Sequence, residues 1–332
     1  MTEPLIPPTL WDRYPTEFQP DRPPEALGNA GGLSGCHLWR VDSPSGPLML
    51  RAWPGEGATR DRIDQIHCWL IPMRRLPWVA GPVADRQGAT FQELTGRFWE
   101  VAPFLPGRAD LERPPSQTHL TAMFAALARV HEALGFATTC EPSPGLIARR
   151  DELQQLITWE FAAMSRAIRS AVPDEARWLA DRWLGAVGGP ARALVGRIEP
   201  AARRIMHQQP VLRDVRPDHF LFEGDRLTGL VDFGAMGIDS VAADLARLLG
   251  ESVGRSEEPR RDALAAYEAV RSISAEDRAA ISAFEEANAV LSGARWVRWH
   301  FLEGRQFADP DAVRSGLNRA LVKLEEMRTS SG

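Results

Sequence analysis

Two aspartates, close together in the sequence, carry the side chains best suited to chemistry. Asp214 lies in the segment Leu-Arg-Asp-Val-Arg-Pro-Asp-His at 212–219, and Asp232 lies in Val-Asp-Phe-Gly at 231–234. Phosphoryl transfer needs a group that orients the attacking hydroxyl and a metal ion that neutralises the phosphate oxygens. The two carboxylates can supply these roles. The alternative for Asp214 is a residue that only forms a turn.

A hairpin is predicted to position Asp232. Strand-like runs at 220–222 and 227–233 are joined by Glu-Gly-Asp-Arg at 223–226, a sequence that favours a tight turn between antiparallel strands. The second run is apolar and ends in the Asp-Phe-Gly segment. Asp232 is therefore expected near the end of a strand, after a chain reversal that follows Asp214.

The first hundred residues are predicted to form a small β-rich part. A glycine-rich loop at 28–35 precedes strands at 36–41 and 48–53, and apolar residues spaced by three and four predict a helix at 58–75. Further strand candidates lie at 79–84 and 97–101. Glycine pairs in loops are more often simple turns, but the position of this loop before a strand hairpin favours a phosphate-covering loop.

The character of the sequence changes after a proline-containing break at 103–107. Helical spacing dominates from there on, and Pro173 and Pro190 stand where helices often begin. The predicted helices lie at 147–171, 174–187, 191–208 and from 241 to the end. The sequence therefore predicts an α+β fold with two lobes, a β-rich lobe at 1–102 and a larger helical lobe at 103–332.

Composition narrows the possible partners and location. A formal net charge of −5 gives no general attraction for nucleic acid or for an anionic membrane. The three cysteines lack metal-ligand spacing, and no apolar run of about 18 residues is present. We expect a cytoplasmic protein that binds neither nucleic acid nor membrane, with a small molecule as its partner.

The two motifs resemble the catalytic loop and metal-binding motif of the aminoglycoside phosphotransferase and choline kinase superfamily, distant relatives of protein kinases. In that family the loop reads His-x-Asp-x-x-x-x-Asn. The segment 237–247 is similar to the helix that follows the metal motif, in which Asp244 would brace the loop. The resemblance implies a two-lobed protein-kinase-like fold. It also implies ATP and Mg²⁺ as cofactors, with Mn²⁺ as the alternative ion, and it implies Asp214 as base or orienting group and Asp232 as metal ligand.

The resemblance extends to the nucleotide site. It implies that Gly31, Gly32, Ser34 and Gly35 cover the phosphates, and that the backbone from Glu100 to Ala102 holds the adenine. Arg51 stands in place of the strand lysine that binds the α- and β-phosphates. The alternative interpretation is that Arg51 is an exposed arginine on a strand, without a role in nucleotide binding. No glutamate lies in the helix at 58–75, so Asp64 or Glu56 is the expected acidic partner of Arg51.

Three positions near Asp214 need separate readings. Leu212 replaces the family histidine, so apolar packing must steady the loop. His219 stands where the family asparagine binds the metal; it is a candidate ligand for a softer ion such as Mn²⁺, and its alternatives are a hydrogen bond to Asp214 or packing against Phe220. Arg216 is a candidate for stabilising the transferring phosphate, and its alternative is a salt bridge.

The implied activity is transfer of the γ-phosphate of ATP to a hydroxyl of an aminoglycoside-, choline- or sugar-like molecule. The alternative is a nucleotide-binding pseudokinase or regulatory module without turnover. By resemblance, specificity comes from the insert at 143–207 and the C-terminal helices. Glu285, Glu286 and Glu303 are candidates for binding a cationic acceptor, and their alternative is a solvated helix face.

Overall fold

The computed structural model describes residues 4–28, 35–55, 57–112, 114–307 and 309–329, with side chains up to residue 327. The chain forms two compact units. The first comprises Met1–Glu112 and Pro217–Ala235, and the second comprises Arg113–Arg216 and Met236–Gly332. The hairpin that carries Asp232 therefore belongs to the first unit, although it comes late in the chain.

The strands are, in chain order, β1 (Glu25–Gly28), β2 (His37–Ser43), β3 (Gly46–Ala52), β4 (Gln92–Leu94), β5 (Arg97–Pro103), β6 (Thr139–Pro142), β7 (Ile205–Val211), β8 (Phe220–Glu223), β9 (Arg226–Leu230) and β10 (Gly237–Asp239). The α-helices are α1 (Arg60–Met73), α2 (Gln117–Leu134), α3 (Pro144–Gln155), α4 (Phe161–Ser170), α5 (Glu175–Arg203), α6 (Ala242–Ser252), α7 (Glu257–Glu268), α8 (Ala275–Val297) and α9 (Ala312–Thr329). The mixture of a β-rich part and a helical part confirms the predicted fold class.

A five-stranded antiparallel sheet in the order β1-β2-β3-β5-β4 forms the first unit. Successive side chains of a strand point to opposite faces. Leu48, Leu50 and Ala52 of β3 are therefore buried together on one face, while Arg51 projects from the other. Arg51 is paired in register with Glu100 of β5. The ladder thus places these two polar side chains next to each other.

The buried face of this sheet is covered in part by the N-terminal segment. Leu10 and Tyr14 are fully buried and share a hydrophobic core with the sheet. Trp39 of β2 and Trp99 of β5 stack with ring centroids 5.7 Å apart. This core holds β3 and β5 rigidly, and with them the pair that projects from the opposite face.

Helix α1 lies within the predicted range, but the predicted strand at 79–84 is wrong. Thr59 caps α1 by accepting a hydrogen bond from the Arg62 N–H at 3.3 Å. In the fully described stretch 79–84, Val79 makes a single bridge to Leu230, and the Val83 N–H donates to the Val101 carbonyl at 2.7 Å. Pro82 has no N–H to donate, and a proline interrupts a strand ladder for this reason.

The structure confirms the predicted hairpin. Strands β8 and β9 are antiparallel, and β9 ends at Leu230, three residues earlier than the sequence suggested. The chain leaves the ladder at Val231, whose N–H donates to the His219 carbonyl at 3.0 Å. Asp232 follows with a φ of 67°, in the left-handed region that non-glycine residues seldom adopt. Such local strain is often found at functional sites.

The second unit contains α2 to α9 and a three-stranded sheet in the order β10-β7-β6. The sequence predicted two helices at 174–187 and 191–208, and this is wrong. A single helix α5 runs through Pro190 and ends at Arg203. Its buried residues continue at three- and four-residue spacing on both sides of Pro190. Burial of this face outweighs the roughly 3 kcal/mol that an internal proline costs a helix.

The predicted helix at 147–171 is present, but it is interrupted. Helices α3 and α4 are joined by a π-helical turn at Leu156–Glu160. Ser143 caps α3 by accepting a hydrogen bond from the Leu146 N–H at 3.1 Å. Among the helices that the structure describes, none is both long enough and apolar enough to span a membrane.

Candidate active site

An ion pair between neighbouring strands lies at the centre of the candidate nucleotide site. Arg51 Nη1 of β3 is 3.1 Å from Glu100 Oε1 of β5. The two side chains are only 15% and 7% exposed. A buried pair of this kind is held in one geometry, and either partner alone would be an uncompensated buried charge.

Two further side chains bind the same carboxylate. Trp53 Nε1 donates to Glu100 Oε2 at 2.9 Å, and His67 Nε2 of α1 donates to the same oxygen at 2.9 Å. Because His67 Nε2 carries the donated proton, Nδ1 of a neutral His67 accepts from the Thr90 hydroxyl at 2.7 Å. The Glu100 carboxylate is therefore fixed by three side chains: Arg51 of β3, Trp53 just after β3 and His67 of α1.

These contacts set the ionisation of the pair. Burial by itself would raise the pKa of Glu100, but the charge of Arg51 and the hydrogen bonds from His67 and Trp53 outweigh it and lower the pKa to about 2. Burial likewise opposes the charge on Arg51, but Glu100 and, more weakly, Asp232 raise its pKa above the usual value. Arg51 is thus a permanently charged, oriented cation.

The expected acidic partner of Arg51 was wrong. Asp64 is exposed on the outer face of α1, and Glu56 lies outside the described residues. The carboxylate comes instead from Glu100 on strand β5, and α1 contributes His67. Sequence reasoning assigned Glu100 through its backbone alone and missed His67 and Trp53. The only signal was that His67 shares the apolar spacing of Ile66 and Leu70.

A pocket of the first unit brings Arg51 and Asp232 together. It is lined by both residues and by Glu100 and Ala102. The rest of its wall is largely apolar, formed by residues that include Met49, Leu70, Ala80, Leu230 and Phe233. A pocket with an apolar wall and a few placed charges is typical of a small-molecule or cofactor site.

Asp232 and His219 are the candidate metal ligands, and both lie in the first unit. His219 Nε2 is 3.7 Å from Asp232 Oδ2; the Asp232 side chain is 49% exposed and that of His219 is 6% exposed. The accessible carboxylate fits a divalent cation that keeps water or phosphate oxygens as further ligands. The imidazole nitrogen suits a softer ion than Mg²⁺.

Asp214 lies in the second unit, in a loop held by buried Asp244. Asp244 accepts hydrogen bonds from the Leu212 N–H and the Arg213 N–H, both at 2.7 Å. His131 Nε2 lies 3.1 Å from Asp244 Oδ2 in the same buried cluster. Asp244 thus braces the loop, as the resemblance implied. The contribution of His131 was missed, because it comes from α2, far away in sequence.

The two residues before Asp214 help to fix its position. Leu212 is 3% exposed, so apolar packing does replace the family histidine. Arg213 has a φ of 67°, and its Nη2 lies 3.9 Å from Asp239 Oδ2. Arg213 therefore contacts both Asp244, through its backbone N–H, and Asp239, through its side chain. The Asp214 side chain itself is 42% exposed and accepts a hydrogen bond from Arg247 Nη2 at 2.8 Å.

The remaining predicted site residues are placed as follows. Gly35 has a φ of 74°, a conformation that favours glycine. Gly31, Gly32 and Ser34 lie outside the described residues. Arg216 is partly buried. Its proposed contact with phosphate stays a prediction, as do the nucleotide contacts of Gly35 and Ala102.

Comparison with known proteins identifies the class. The sequence profile of the phosphotransferase enzyme family matches residues 25–284, and the chain belongs to this family. The homoserine kinase of Polaromonas naphthalenivorans is 26% identical over 274 residues, which cover 79% of this chain and 78% of the relative.

Solved structures support the same fold. The aminoglycoside phosphotransferase of Alicyclobacillus acidocaldarius superimposes with a TM-score of 0.67 at 17% identity, covering 99% of this chain and 95% of that one. An amicoumacin kinase in complex with AMP-PNP and Ca²⁺ gives a TM-score of 0.62 at 14% identity, covering 94% and 90%. The fold and the family together define a small-molecule phosphotransferase. They do not favour the pseudokinase alternative.

Proposed function

We propose that this protein transfers the γ-phosphate of ATP to a hydroxyl group of a small molecule. The observation that carries the proposal is the pocket of the first unit, which is lined by both the fixed cation Arg51 and the accessible carboxylate Asp232. A cation and a metal ligand that share one pocket suit the phosphate chain of a nucleotide.

Each residue then has a defined role. Arg51 binds the α- and β-phosphates, the apolar wall and the backbone from Glu100 to Ala102 bind the adenine, and Gly35 with Gly31, Gly32 and Ser34 covers the phosphates. Asp232, with His219, holds a divalent cation, Mg²⁺ or Mn²⁺. When bound, that cation neutralises phosphate oxygens.

Asp214 orients the acceptor. The acceptor oxygen forms a bond to the γ-phosphorus, the bond from this phosphorus to the β–γ bridging oxygen breaks, and ADP leaves. The proton of the attacking hydroxyl passes to Asp214. Arg247, which holds one Asp214 oxygen at 2.8 Å, fixes the carboxylate for this task. Arg216 is proposed to stabilise the transferring phosphoryl group.

The acceptor is the open part of the proposal. Candidate acceptors are the aminoglycoside-, choline- and sugar-like alcohols that the family resemblance implied. Homoserine is a further candidate, because the relative from Polaromonas naphthalenivorans is named a homoserine kinase. All present a hydroxyl to the same base. A screen of these compounds with ATP and Mg²⁺ or Mn²⁺, read as ADP release, identifies the acceptor.

The test of the chemical step uses Asp214→Asn with the best acceptor of the screen. Loss of a general base lowers kcat by roughly 10²–10⁴-fold, while nucleotide affinity stays near that of the wild type. Asp225→Asn, in the exposed turn of the β8–β9 hairpin, removes the same charge and serves as the control. Equal kcat values for the two variants would remove Asp214 from the mechanism.

A further inference from the structure

Asp214 of the second unit is paired with Arg247, and two further arginines from other helices interact electrostatically with Arg247. Arg247 of α6 pairs with Asp214, while Arg149 belongs to α3 and Arg295 to α8. Asn288 links Arg149 to Arg247. It accepts a hydrogen bond from Arg149 Nε at 2.9 Å, and it lines the same cavity as Arg247. Arg295 follows Asn288 by two helical turns, on the same face of α8.

Two of these arginines have carboxylates only at longer range, Asp239 and Glu152 for Arg149, and Glu152 and Asp214 for Arg295. Within the residues that the structure describes, neither Arg149 nor Arg295 forms an ion pair. Arg149 donates to the Gly145 carbonyl at 3.0 Å and lies 4.7 Å from the centroid of the Phe284 ring. Arg295 lies 6.0 Å from the centroid of the Trp299 ring. None of these contacts, with a backbone carbonyl and two aromatic rings, neutralises the positive charge of either arginine.

The cations also raise one another's free energy. Burial and, more weakly, the charges of Arg295 and Arg247 lower the pKa of Arg149 to about 10, although Asp239 and Glu152 act in the opposite direction. Burial and the charge of Arg247 likewise lower the pKa of Arg295. Arg247 Nε is buried and has no hydrogen-bond partner in the described part of the chain. A negative charge placed among these groups is therefore stabilised.

Two of the three acidic residues that were candidates for binding a cation are already paired with arginines. Glu285 receives two hydrogen bonds from Arg260, at 2.7 and 3.0 Å, and Glu286 receives one from Arg197 at 2.8 Å. Glu303 is exposed. These carboxylates were the candidates for a cationic acceptor. The arginine partners of Glu285 and Glu286 make binding of a cationic acceptor by these two carboxylates unfavourable.

We propose that the acceptor carries an anionic group, a carboxylate or a phosphate, and that Arg149 and Arg295 bind this group while Asp214 orients the hydroxyl. The proposal rests on the proposed function and names the acceptor class of the same site. Guanidinium groups bind both anions through paired hydrogen bonds, which gives orientation as well as attraction. Choline and polycationic aminoglycosides are then poor acceptors.

The test compares alcohols that differ only in the anionic group. The carboxylate pairs are L-homoserine with 3-aminopropan-1-ol and D-glycerate with glycerol, and the phosphate pair is glucose 6-phosphate with glucose. Choline and kanamycin represent cations. Each compound is assayed with the wild-type protein and saturating ATP, and kcat/KM is measured from ADP release. The two kinds of pair distinguish a carboxylate from a phosphate.

Variants locate the anion. Arg295→Gln removes one charge-assisted contact and raises the KM of the anionic acceptor by about 10- to 100-fold, with the KM of ATP unchanged. Arg149→Lys keeps the charge and loses the paired geometry, so it gives a smaller rise. Arg278→Gln, at the other end of α8 and paired with Glu268, serves as the control with wild-type constants.

The outcomes separate the two proposals. Turnover of the member that carries the anionic group well above its counterpart without that group, with a raised KM in Arg295→Gln, supports the inference. Turnover of neutral or cationic members alone, or of no anionic member by a protein that binds ATP, overturns it and leaves ATP binding intact. A protein that binds no nucleotide overturns the proposed function, and the inference with it.

Discussion

Glu100→Gln tests the central electrostatic feature of the first unit. The substitution keeps the size of the side chain and an oxygen that can accept from Trp53 or His67, but it removes the negative charge. Arg51 is then left buried, with its partner only 3.1 Å away and neutral. We expect a less stable protein with weaker ATP binding, because Arg51 is no longer held toward the pocket.

The size of the effect follows from the ionisation of Glu100. Lowering the pKa from 4.5 to about 2 corresponds to roughly 3 kcal/mol in favour of the ionised form. Breaking a buried ion pair by removing one partner costs about 3–5 kcal/mol, which agrees. For a chain of 332 residues, a loss of about 3 kcal/mol lowers the midpoint of thermal unfolding by on the order of 4 °C. The KM of ATP should rise about tenfold or more.

The loss of stability depends on pH. A carboxylate with a lowered pKa stabilises the folded state fully above its unfolded pKa, near 4.5, and this contribution is lost as the pH falls toward 2. At pH 3 about 1.4 kcal/mol remains, at 1.36 kcal/mol per unit. The difference in unfolding free energy between wild type and Glu100→Gln should therefore narrow by about 2 kcal/mol between pH 6 and pH 3.

The assay is thermal or urea unfolding at both pH values, together with the KM of ATP. Glu93→Gln is the matched control, because Glu93 lies in the same sheet and pairs with Arg60 at 2.7 Å, but both side chains are more than half exposed. An exposed pair of this kind contributes at most about 1 kcal/mol. If Glu100→Gln and Glu93→Gln show the same midpoint and the same KM, the reasoning is refuted.

Three other predictions concern single side chains. Arg51→Lys restores the residue of the kinase family, but the ammonium cannot keep the forked contact, so we expect a rise of a few-fold in the KM of ATP, measured by ADP release; an unchanged KM would contradict a role for guanidinium geometry. Asp244→Asn removes a charged acceptor from two backbone N–H groups and should lower the unfolding free energy by about 1–3 kcal/mol, measured in urea, and a loss below about 0.5 kcal/mol would contradict its bracing role. His219→Asn replaces a nitrogen ligand by an amide oxygen and should raise the ratio of activity with Mg²⁺ to activity with Mn²⁺; an unchanged ratio would place His219 outside the metal site.

The class of fold and the local structure around the two aspartates could be predicted because they depend on local pattern. The Asp214 loop, the β8–β9 hairpin and the Asp232 motif lie within about 30 residues, and the turn at 223–226 has the expected composition. Local sequence patterns predict short-range structure of this kind.

The partners of these residues could not be predicted, because they come from distant segments. Glu100 pairs with Arg51 across 49 positions through the register of β3 and β5, and His131 reaches Asp244 across 113. No local spacing encodes either contact. The prediction of two separate helices on either side of Pro190 failed for a related reason. Tertiary burial of the α5 face keeps the helix continuous, although the local propensity of proline opposes it.

The measurement that tests the account most directly is a thermal-shift titration with ATP, with and without Mg²⁺ or Mn²⁺, on the wild type and on Asp232→Asn. A ligand that binds only the folded state raises the midpoint. We expect ATP to stabilise the wild type, the divalent ion to increase that shift, and Asp232→Asn to lose the metal-dependent part alone. No shift with ATP in the wild type, or an undiminished metal effect in Asp232→Asn, would contradict the assigned nucleotide and metal site.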